Sequence, residues 1–224
     1  MSNIAIITAR GGSKRIPRKN VKDFLGKPII TYSIEAALRS GLFDEVMVST
    51  DDEEIATLAR AQGAQVPFMR SAKNADDYAT TVDVLQEVLF QLPSYEFGCC
   101  IYPTAPLIRV ERLQQAWNLL LSKEYDTVFP VVSYEYPIGR SLRLTDDQRV
   151  AMIWPENLHK RSQDLPKAYH DAGQFYWFRC QHVLEKQTLY GDNSGAIVLP
   201  STEVQDIDTP EDWQLAELKA RRLW

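Results

Sequence analysis

A β-sheet of mainly parallel strands covered by helices on both faces, an α/β fold of three layers, is what this sequence predicts, and three observations predict it. Short apolar runs of strand length alternate, up to Val132, with longer stretches whose apolar positions recur at helical spacing. The apolar runs are continuous, as strands covered on both faces require. The helical stretches carry start and stop residues at their ends.

Asn3 to Thr8 is the first such run, too short for a helix and followed by Gly11 and Gly12. A helix is expected from Pro28, with Ile30, Ile34, Ala37 and Leu38 on one face and Gly41 at its end. Glu45 to Thr50 reads as a second strand, and Asp52 to Gln62 as a helix stopped at Gly63. Gln65 to Phe68 is predicted as a short strand. Thr80 to Leu92 is predicted as a helix striped by Val84, Leu85, Val88, Leu89 and Leu92, with Thr80 and Asp83 spaced as a capping pair. Phe97 to Tyr102 is a strand, Val110 to Ser122 a helix with Leu113, Ala116, Trp117, Leu120 and Leu121 inward, and Thr127 to Val132 another strand.

The pattern then changes. Between Tyr136 and Tyr169 stand Pro137, Pro155 and Pro166, with two short segments, Ser141 to Leu144 and Val150 to Trp154, that read as an antiparallel hairpin around Asp146 and Asp147. Gly173 to Cys180 is an aromatic strand and Gly195 to Leu199 a further short one. In "DIDTPEDW", Thr209 as N-cap, Pro210 at the first helical position and Asp212 at the third predict a closing helix. A single domain over 1–224, with an excursion over 134–169, is the expected organisation.

Composition narrows the function. With 224 residues, 45% hydrophobic and 25% charged, the chain can bury one substantial core. A net charge of −5 argues against general nucleic-acid or acidic-membrane binding, so any cationic site must be local. The three cysteines form no disulfide framework, and Cys99 and Cys100 sit in a buried strand as small core residues. No stretch has the length of a membrane span and no signal peptide is in view, so a cytoplasmic, reducing location is expected.

The local cationic site is "TARGGSKRIPRKN", Thr8 to Asn20. Between Arg10 and Lys27 there are seven lysines or arginines and one acid, Asp23. In a parallel α/β sheet the loop after the first strand lies at the carboxyl edge, where ligands bind. Glycines there let backbone N–H groups approach an anion, and the cations supply charge. A polyphosphate is the predicted ligand. Neither G-x-x-x-x-G-K-[ST] nor G-x-G-x-x-G is present, so neither a P-loop nor a dinucleotide fingerprint holds it.

"ARGGSKRIPRKN" resembles the N-terminal signature of the CMP-N-acetylneuraminate synthetase family, cytidylyltransferases that activate nine-carbon sialic-acid-like sugars. The resemblance continues in order through "STDDEEIATLARAQGAQV", "RSAKNADDYATT", "IYPTAPLIR", "RSQDLPKAYHDAGQFYW" and "DIDTPEDW". It implies a three-layer, Rossmann-like nucleotidyltransferase fold. It also implies transfer of CMP from CTP to the anomeric hydroxyl of an acidic nine-carbon sugar, with release of pyrophosphate. The anomeric oxygen attacks the α-phosphorus, and catalysis is positioning plus stabilisation of developing charge.

By the same resemblance, Arg10 and Lys19 touch the triphosphate in the transition state, and Ser13 with the backbone of Gly11 and Gly12 cradles phosphate oxygens. Lys14, Arg18 and Asn20 belong to the motif. Arg15 stands where glycine is common in the family and is expected at the periphery. Magnesium is the implied cofactor, held by Asp206 and Asp208, since Thr209 already serves as helix cap. Cytosine selection is assigned to the backbone near Ala9 and to Arg70, with Asn74 and Asp77 nearby. The excursion resembles the family's dimerisation region and implies a homodimer with shared sites.

The implied sugar pocket departs from sialate enzymes, which commonly carry glutamine where Tyr102 stands, serine in place of Ala105 and a second arginine in place of Ser162. Its candidates are Tyr102, Arg161, Gln163, His170, Gln174, Phe175 and Tyr176. "YHDAGQFYW" resembles the branch that activates pseudaminic acid, whose extra acetamide and terminal methyl suit an aromatic lining; alternation allows at most two of Phe175, Tyr176 and Trp177 on one face. Sialate and legionaminate remain alternative substrates. From another class, a nucleotide-binding module without catalysis is expected to have lost Arg10, Lys19 or the aspartate pair.

Overall fold

The computed structural model describes residues 1–223. In chain order its elements are β1 (Asn3–Thr8), β2 (Asp23–Phe24), β3 (Lys27–Pro28), α1 (Ile29–Ser40), β4 (Glu45–Ser49), α2 (Glu53–Ala61), α3 (Thr81–Gln91), β5 (Phe97–Ile101) and α4 (Val110–Ser122). They continue with β6 (Thr127–Ser133), β7 (Leu142–Leu144), β8 (Val150–Met152), β9 (Tyr169–Asp171), β10 (Phe175–Arg179), α5 (Cys180–Lys186), β11 (Ser194–Val198) and α6 (Pro210–Leu223).

The central sheet has seven strands, in the order β11-β6-β10-β5-β1-β4, with β9 also beside β6. β1 runs parallel to β4 and β5, and β6 parallel to β11, whereas β10 is antiparallel to both its neighbours. The sheet is therefore parallel apart from the reversed β9–β10 segment. Chain order turns around at β1: the next sheet strand, β4, lies on one side of it and β5 on the other. A crevice opens at the carboxyl ends of strands where the order reverses in this way.

Alternation along each strand sends residues to two cores. Ala5, Ile7, Val46, Val48, Cys99 and Ile101 meet Ile30 and Ile34 of α1, Ile55 of α2 and Leu113 of α4. Ile4, Ile6, Met47 and Cys100 meet Leu85, Val88 and Leu89 of α3 and Val183 of α5. This is the expected three-layer arrangement, with Cys99 and Cys100 on opposite faces. Burial pushes both thiols up, that of Cys100 to about 12. A third cluster joins Trp213, Ala216 and Ala220 of α6 to Ile16, Phe24, Ile29 and Tyr32, so the last helix clamps the first loop from outside. Phe24 meets Tyr32 and Trp213 edge-on, at 5.5 Å each.

Caps appear where their residue types predict them. Asp52 accepts the N–H groups of Glu54 and Ile55, and Thr80 and Asp83 form a reciprocal capping box. At α6, Asp212 N–H donates to Thr209 Oγ1 at 3.2 Å, and Thr209 N–H to Asp212 Oδ2 at 2.8 Å. Other expectations need correction. The strand expected over 65–68 is a single parallel bridge between Gln65 and Met47, because Pro67 has no N–H to extend the ladder. The aromatic strand begins at Phe175 rather than Gly173: Gly173, at φ 62°, breaks it from β9. The hairpin β2–β3 and the short helix α5 carry no strong periodic signal and were not expected.

In the excursion, β7 and β8 pair with each other alone. They leave Leu142, Leu144 and Val150 exposed. No helix among the described residues is long and apolar enough to cross a membrane.

Candidate active site

A cleft of about 500 Å³ lies at the carboxyl ends of β1 and β5, lined by Arg10, Ser13, Lys14, Arg15, Lys19, Asn20, Arg70, Asn74, Asp77, the run Ala79 to Thr81, and Tyr102 to Thr104. It occupies the reversal point of the sheet and gathers the cations of the first loop. A depression of similar size, about 520 Å³, lies behind α1, but its lysine, Lys27, is already paired with Glu35 at 2.5 Å.

The loop after β1 is shaped by short polar ties. Asn20, buried, donates from Nδ2 to the carbonyl of Arg10 at 2.8 Å and closes the loop on itself. Ala9 N–H donates to the Ser49 carbonyl at 3.0 Å, and Gly11 N–H to Asp51 Oδ1 at 2.9 Å, so β4 anchors the loop's start. A Cβ on Gly11 would lie 2.7 Å from Asp52 Oδ2, whereas one on Gly12 would meet open space. Gly11→Ala is therefore expected to cost about 1–3 kcal/mol of stability. Gly12→Ala should be close to silent in the same urea titration, and equal midpoints for the two variants would remove the packing argument.

The cations of the loop are held by carboxylates. Arg10 Nη1 donates to Asp77 Oδ1 and to the carbonyl of Asp76, both at 3.1 Å, and Lys14 pairs with the other oxygen of Asp77. The lysine holds the Asp77 carboxyl below its ordinary range, with Arg10 adding to the effect. Arg18, in the left-handed region at φ 55°, turns away from the cleft to pair with Asp52 and Glu54. Lys19 donates from Nζ to the Ile207 carbonyl at 2.6 Å and stands 3.8 Å from Asp208 Oδ1. Its burial lowers the ammonium's pKa, while Asp208 and Asp206 oppose the shift. Arg15, expected at the periphery, instead lines the cleft and pairs with Asp208 at 2.7 Å, because the loop curls back toward the segment before α6.

Arg70 is buried with its guanidinium turned to strand β4, Nε to Ser49 Oγ at 3.0 Å and Nη2 to the Ser49 carbonyl at 2.5 Å. Burial lowers its pKa. Asn74 Nδ2 donates to Glu87 Oε2 at 2.6 Å, and Ser71 N–H to the other oxygen of Glu87 at 2.8 Å, which fixes this wall on α3.

Asp206 and Asp208 stand at the cleft's rim, before α6. The Asp206 residue is exposed, yet its carboxyl is raised above the usual carboxylate range, first by partial burial and then by the charge of Asp208. Two like charges held near each other suit a divalent cation. Among the described residues no three His, Cys, Asp or Glu side chains gather to hold a metal. A carboxylate pair completed by substrate oxygens and water is magnesium's common habit, and Asp206 and Asp208 would supply such a pair.

The sugar candidates divide. Tyr102 lines the cleft, with its hydroxyl 3.4 Å from Thr81 Oγ1. Tyr176 lies behind it, ring centroids 5.4 Å apart. Phe175 does not share that face: it is fully buried with Trp177 against the α1 and α4 side, by strand alternation. Gln174 is also turned away, donating from Nε2 to the Glu203 carbonyl at 2.6 Å in a buried position. Both are corrected from pocket lining to core. His170 is exposed on β9, its Nδ1 2.8 Å from the Asp171 carbonyl and its ring against Tyr134. Arg161 is engaged by Asp164 at 2.8 Å and 3.0 Å, and Gln163 is exposed beside it; both belong to the excursion and do not line the cleft.

Sequence reading passed over Asp51, Asp52 and Glu87, which shape the cleft from outside the loop, and Asp171 and Tyr190, behind its tyrosine wall. "STDD" directly after a strand beside β1 was a usable signal for the first two, since that places them at the carboxyl edge. Glu87 carried none, because one acid on an amphipathic helix looks like any solvated position.

The cytidylyltransferase family model matches residues 4–219. A pseudaminic acid cytidylyltransferase of Campylobacter jejuni is 46% identical over 222 residues, covering 97% of this chain and 96% of its own. The CMP-N,N'-diacetyllegionaminic acid synthase of Legionella pneumophila is 32% identical, over 97% of this chain and 95% of its own. Among solved structures, CMP:2-keto-3-deoxy-manno-octonic acid synthetase complexed with CTP has the same fold, with a TM-score of 0.74 over 100% of both chains at 17% identity. A cation-lined cleft at the sheet's reversal point, together with a match spanning nearly the whole chain, places this protein in the cytidylyltransferase family.

Proposed function

We propose that this cytidylyltransferase transfers CMP from CTP to the anomeric hydroxyl of pseudaminic acid and releases pyrophosphate. The observation that carries the chemistry is the convergence of Arg10, Lys14, Arg15 and Lys19 on one cleft beside the Asp206/Asp208 pair. Arg10 and Lys19 are the catalytic cations, stabilising charge on the phosphoryl oxygens and on the departing pyrophosphate. Ser13, Asn20 and the backbone of Gly11 and Gly12 shape the phosphate cradle. Ala9, Arg70, Asn74 and Asp77 form the nucleotide end. Asp206 and Asp208 would hold magnesium, which neutralises the leaving phosphates when bound.

The sugar assignment rests on the Campylobacter relative, whose name specifies pseudaminic acid. Tyr102 and Tyr176 supply the aromatic end of the cleft. The excursion over 134–169 serves as the interface of a two-fold homodimer, because Tyr136, Leu142, Leu144 and Val150 are exposed apolar groups in need of cover. A cytoplasmic setting agrees with three free, buried cysteines.

The test is pyrophosphate release from CTP and magnesium with pseudaminic, legionaminic and N-acetylneuraminic acids in parallel. A preference for pseudaminic acid of about tenfold or more in kcat/KM is expected, the scale at which a pocket separates close analogues. Preference for another acid would overturn the sugar and keep the chemistry. No release with any of the three would leave a nucleotide-binding module instead.

A further inference from the structure

Val204 to Asp208, the stretch that carries the aspartate pair, belongs to no strand or helix. Its backbone is held by side chains instead. The carbonyl of Val204 accepts Lys219 Nζ at 2.7 Å, that of Asp206 accepts Gln205 Nε2 at 3.0 Å, and that of Ile207 accepts Lys19 Nζ at 2.6 Å. The N–H of Asp208 donates to Asp212 Oδ2 at 3.1 Å. Backbone groups outside a ladder or helix need such partners, and here the partners fix the chain on either side of both carboxylates.

Gln205 stands at the centre of these ties. Its Oε1 accepts Lys219 Nζ at 3.0 Å, and its Nε2 donates both to the Asp206 carbonyl and, at 3.3 Å, to Asp212 Oδ1. One amide therefore joins the main chain of Asp206 to the carboxylate that holds the main chain of Asp208. An ammonium only donates, whereas a carbonyl and an ionised carboxylate only accept, so the tie needs a side chain that accepts at one atom and donates at another. Glutamine supplies both. Glutamate in its place would keep the shape and the partnership with Lys219, but would set an acceptor against two acceptors. Lys219 in turn belongs to α6, which is packed into the core through Trp213, Ala216 and Ala220, so the amide is anchored to a rigid element.

Taking the magnesium reading above as its basis, we infer that Gln205 is a positioning residue for the aspartate pair: anchored by Lys219, its amide fixes the main chain at Asp206 relative to that at Asp208, and with it the spacing at which two carboxylates meet one divalent cation. Groups that orient ligating side chains in this way are worth about 10–100-fold in metal affinity, because a ligand already in place has less freedom to lose when the ion arrives.

The experiment uses the full-length protein and manganese(II), a cation that shares magnesium's preference for oxygen ligands and whose free form is counted by electron paramagnetic resonance. Gln205→Met, Gln205→Glu and Lys219→Met are compared with wild type and with Asp206→Asn, each by manganese binding, CTP binding in EDTA and melting temperature. Asp206→Asn should lose most of the manganese binding. Gln205→Met and Gln205→Glu should each weaken it about tenfold or more, with CTP affinity in EDTA within about twofold of wild type. The sign in Gln205→Glu is diagnostic: an added negative charge by itself would tighten the ion, whereas misplacing the pair loosens it. Lys219→Met should loosen it less, and should add little in the Gln205→Met background, since both changes break one chain. Unchanged manganese binding in both Gln205 variants, or tighter binding in Gln205→Glu, would overturn the inference. Manganese affinity, CTP affinity and melting temperature falling together would also overturn it, as the mark of a merely structural residue. Manganese binding equal in wild type and Asp206→Asn would bring down the magnesium reading itself, and this inference with it; a loss in Asp206→Asn with silent Gln205 variants would bring down this inference alone.

Discussion

Lys19→Ala is expected to lower kcat by about two to three orders of magnitude, the usual cost of removing one preorganised charge from a transition state. Its ammonium is fixed at the cleft: Nζ is pinned to the Ile207 carbonyl at 2.6 Å, and its side chain is 18% exposed. Little of that charge is spent on ordinary solvent, so it is available to the substrate. Arg10→Ala should behave likewise, because the Arg10 guanidinium faces the cleft and its partners, Asp77 and the Asp76 carbonyl, belong to a loop rather than the core. Lys19→Arg should not rescue fully, since a planar fork cannot occupy a point charge's place. Lys14→Ala is the contrasting variant: at 79% exposure its charge is shared with water, and a much smaller loss is expected. Single-turnover rates at saturating CTP would decide the matter, and unchanged turnover in both Lys19→Ala and Arg10→Ala would remove them from the chemistry.

The second large effect is expected at the aspartate pair. Asp206→Asn and Asp208→Asn should each lower turnover at fixed magnesium by about a hundredfold or more, with part of the loss recovered as the metal concentration is raised. The structure separates this from a folding defect. The Asp206 carboxyl is raised by partial burial and by Asp208, so its ionised form is under repulsion in the folded protein. Removing that charge should leave the melting temperature of Asp206→Asn at or slightly above wild type. Asp208→Asn also loses the ion pairs with Arg15 and Lys19, so a small fall in melting temperature is expected there. A metal activation curve that superposes on wild type for both variants would refute metal binding by this pair.

Much of the site was legible because its chemistry is local in the chain. Five cations and two glycines within Thr8 to Asn20, placed after a buried strand, already mark a local cationic loop at the carboxyl edge of the sheet, and the structure brings most of the cations to one cleft. The helix caps at Asp52, Thr80 and Thr209 were legible for the same reason, since a cap is decided within four residues. Residues whose role depends on a distant partner were not. Arg15 looked peripheral until the segment before α6 came back to pair with it, and Gln174 looked like pocket lining until Glu203 offered its carbonyl. Phe175 and Tyr176 could be assigned to opposite faces by alternation. Which face meets the cleft depended on the antiparallel placement of β10 between β5 and β6.

By itself, then, the sequence determined the α/β class, the order and extent of most elements and the position of the cationic loop, because periodicity, capping and charge density act over a few residues. The tertiary structure alone decided the reversed β9–β10 segment, the reversal of strand order that opens the cleft between β1 and β5, and the convergence of the Tyr176 and Tyr190 hydroxyls on Asp171. Those features arise from hydrogen bonds and packing between residues far apart in the chain, where neither spacing nor composition leaves a trace.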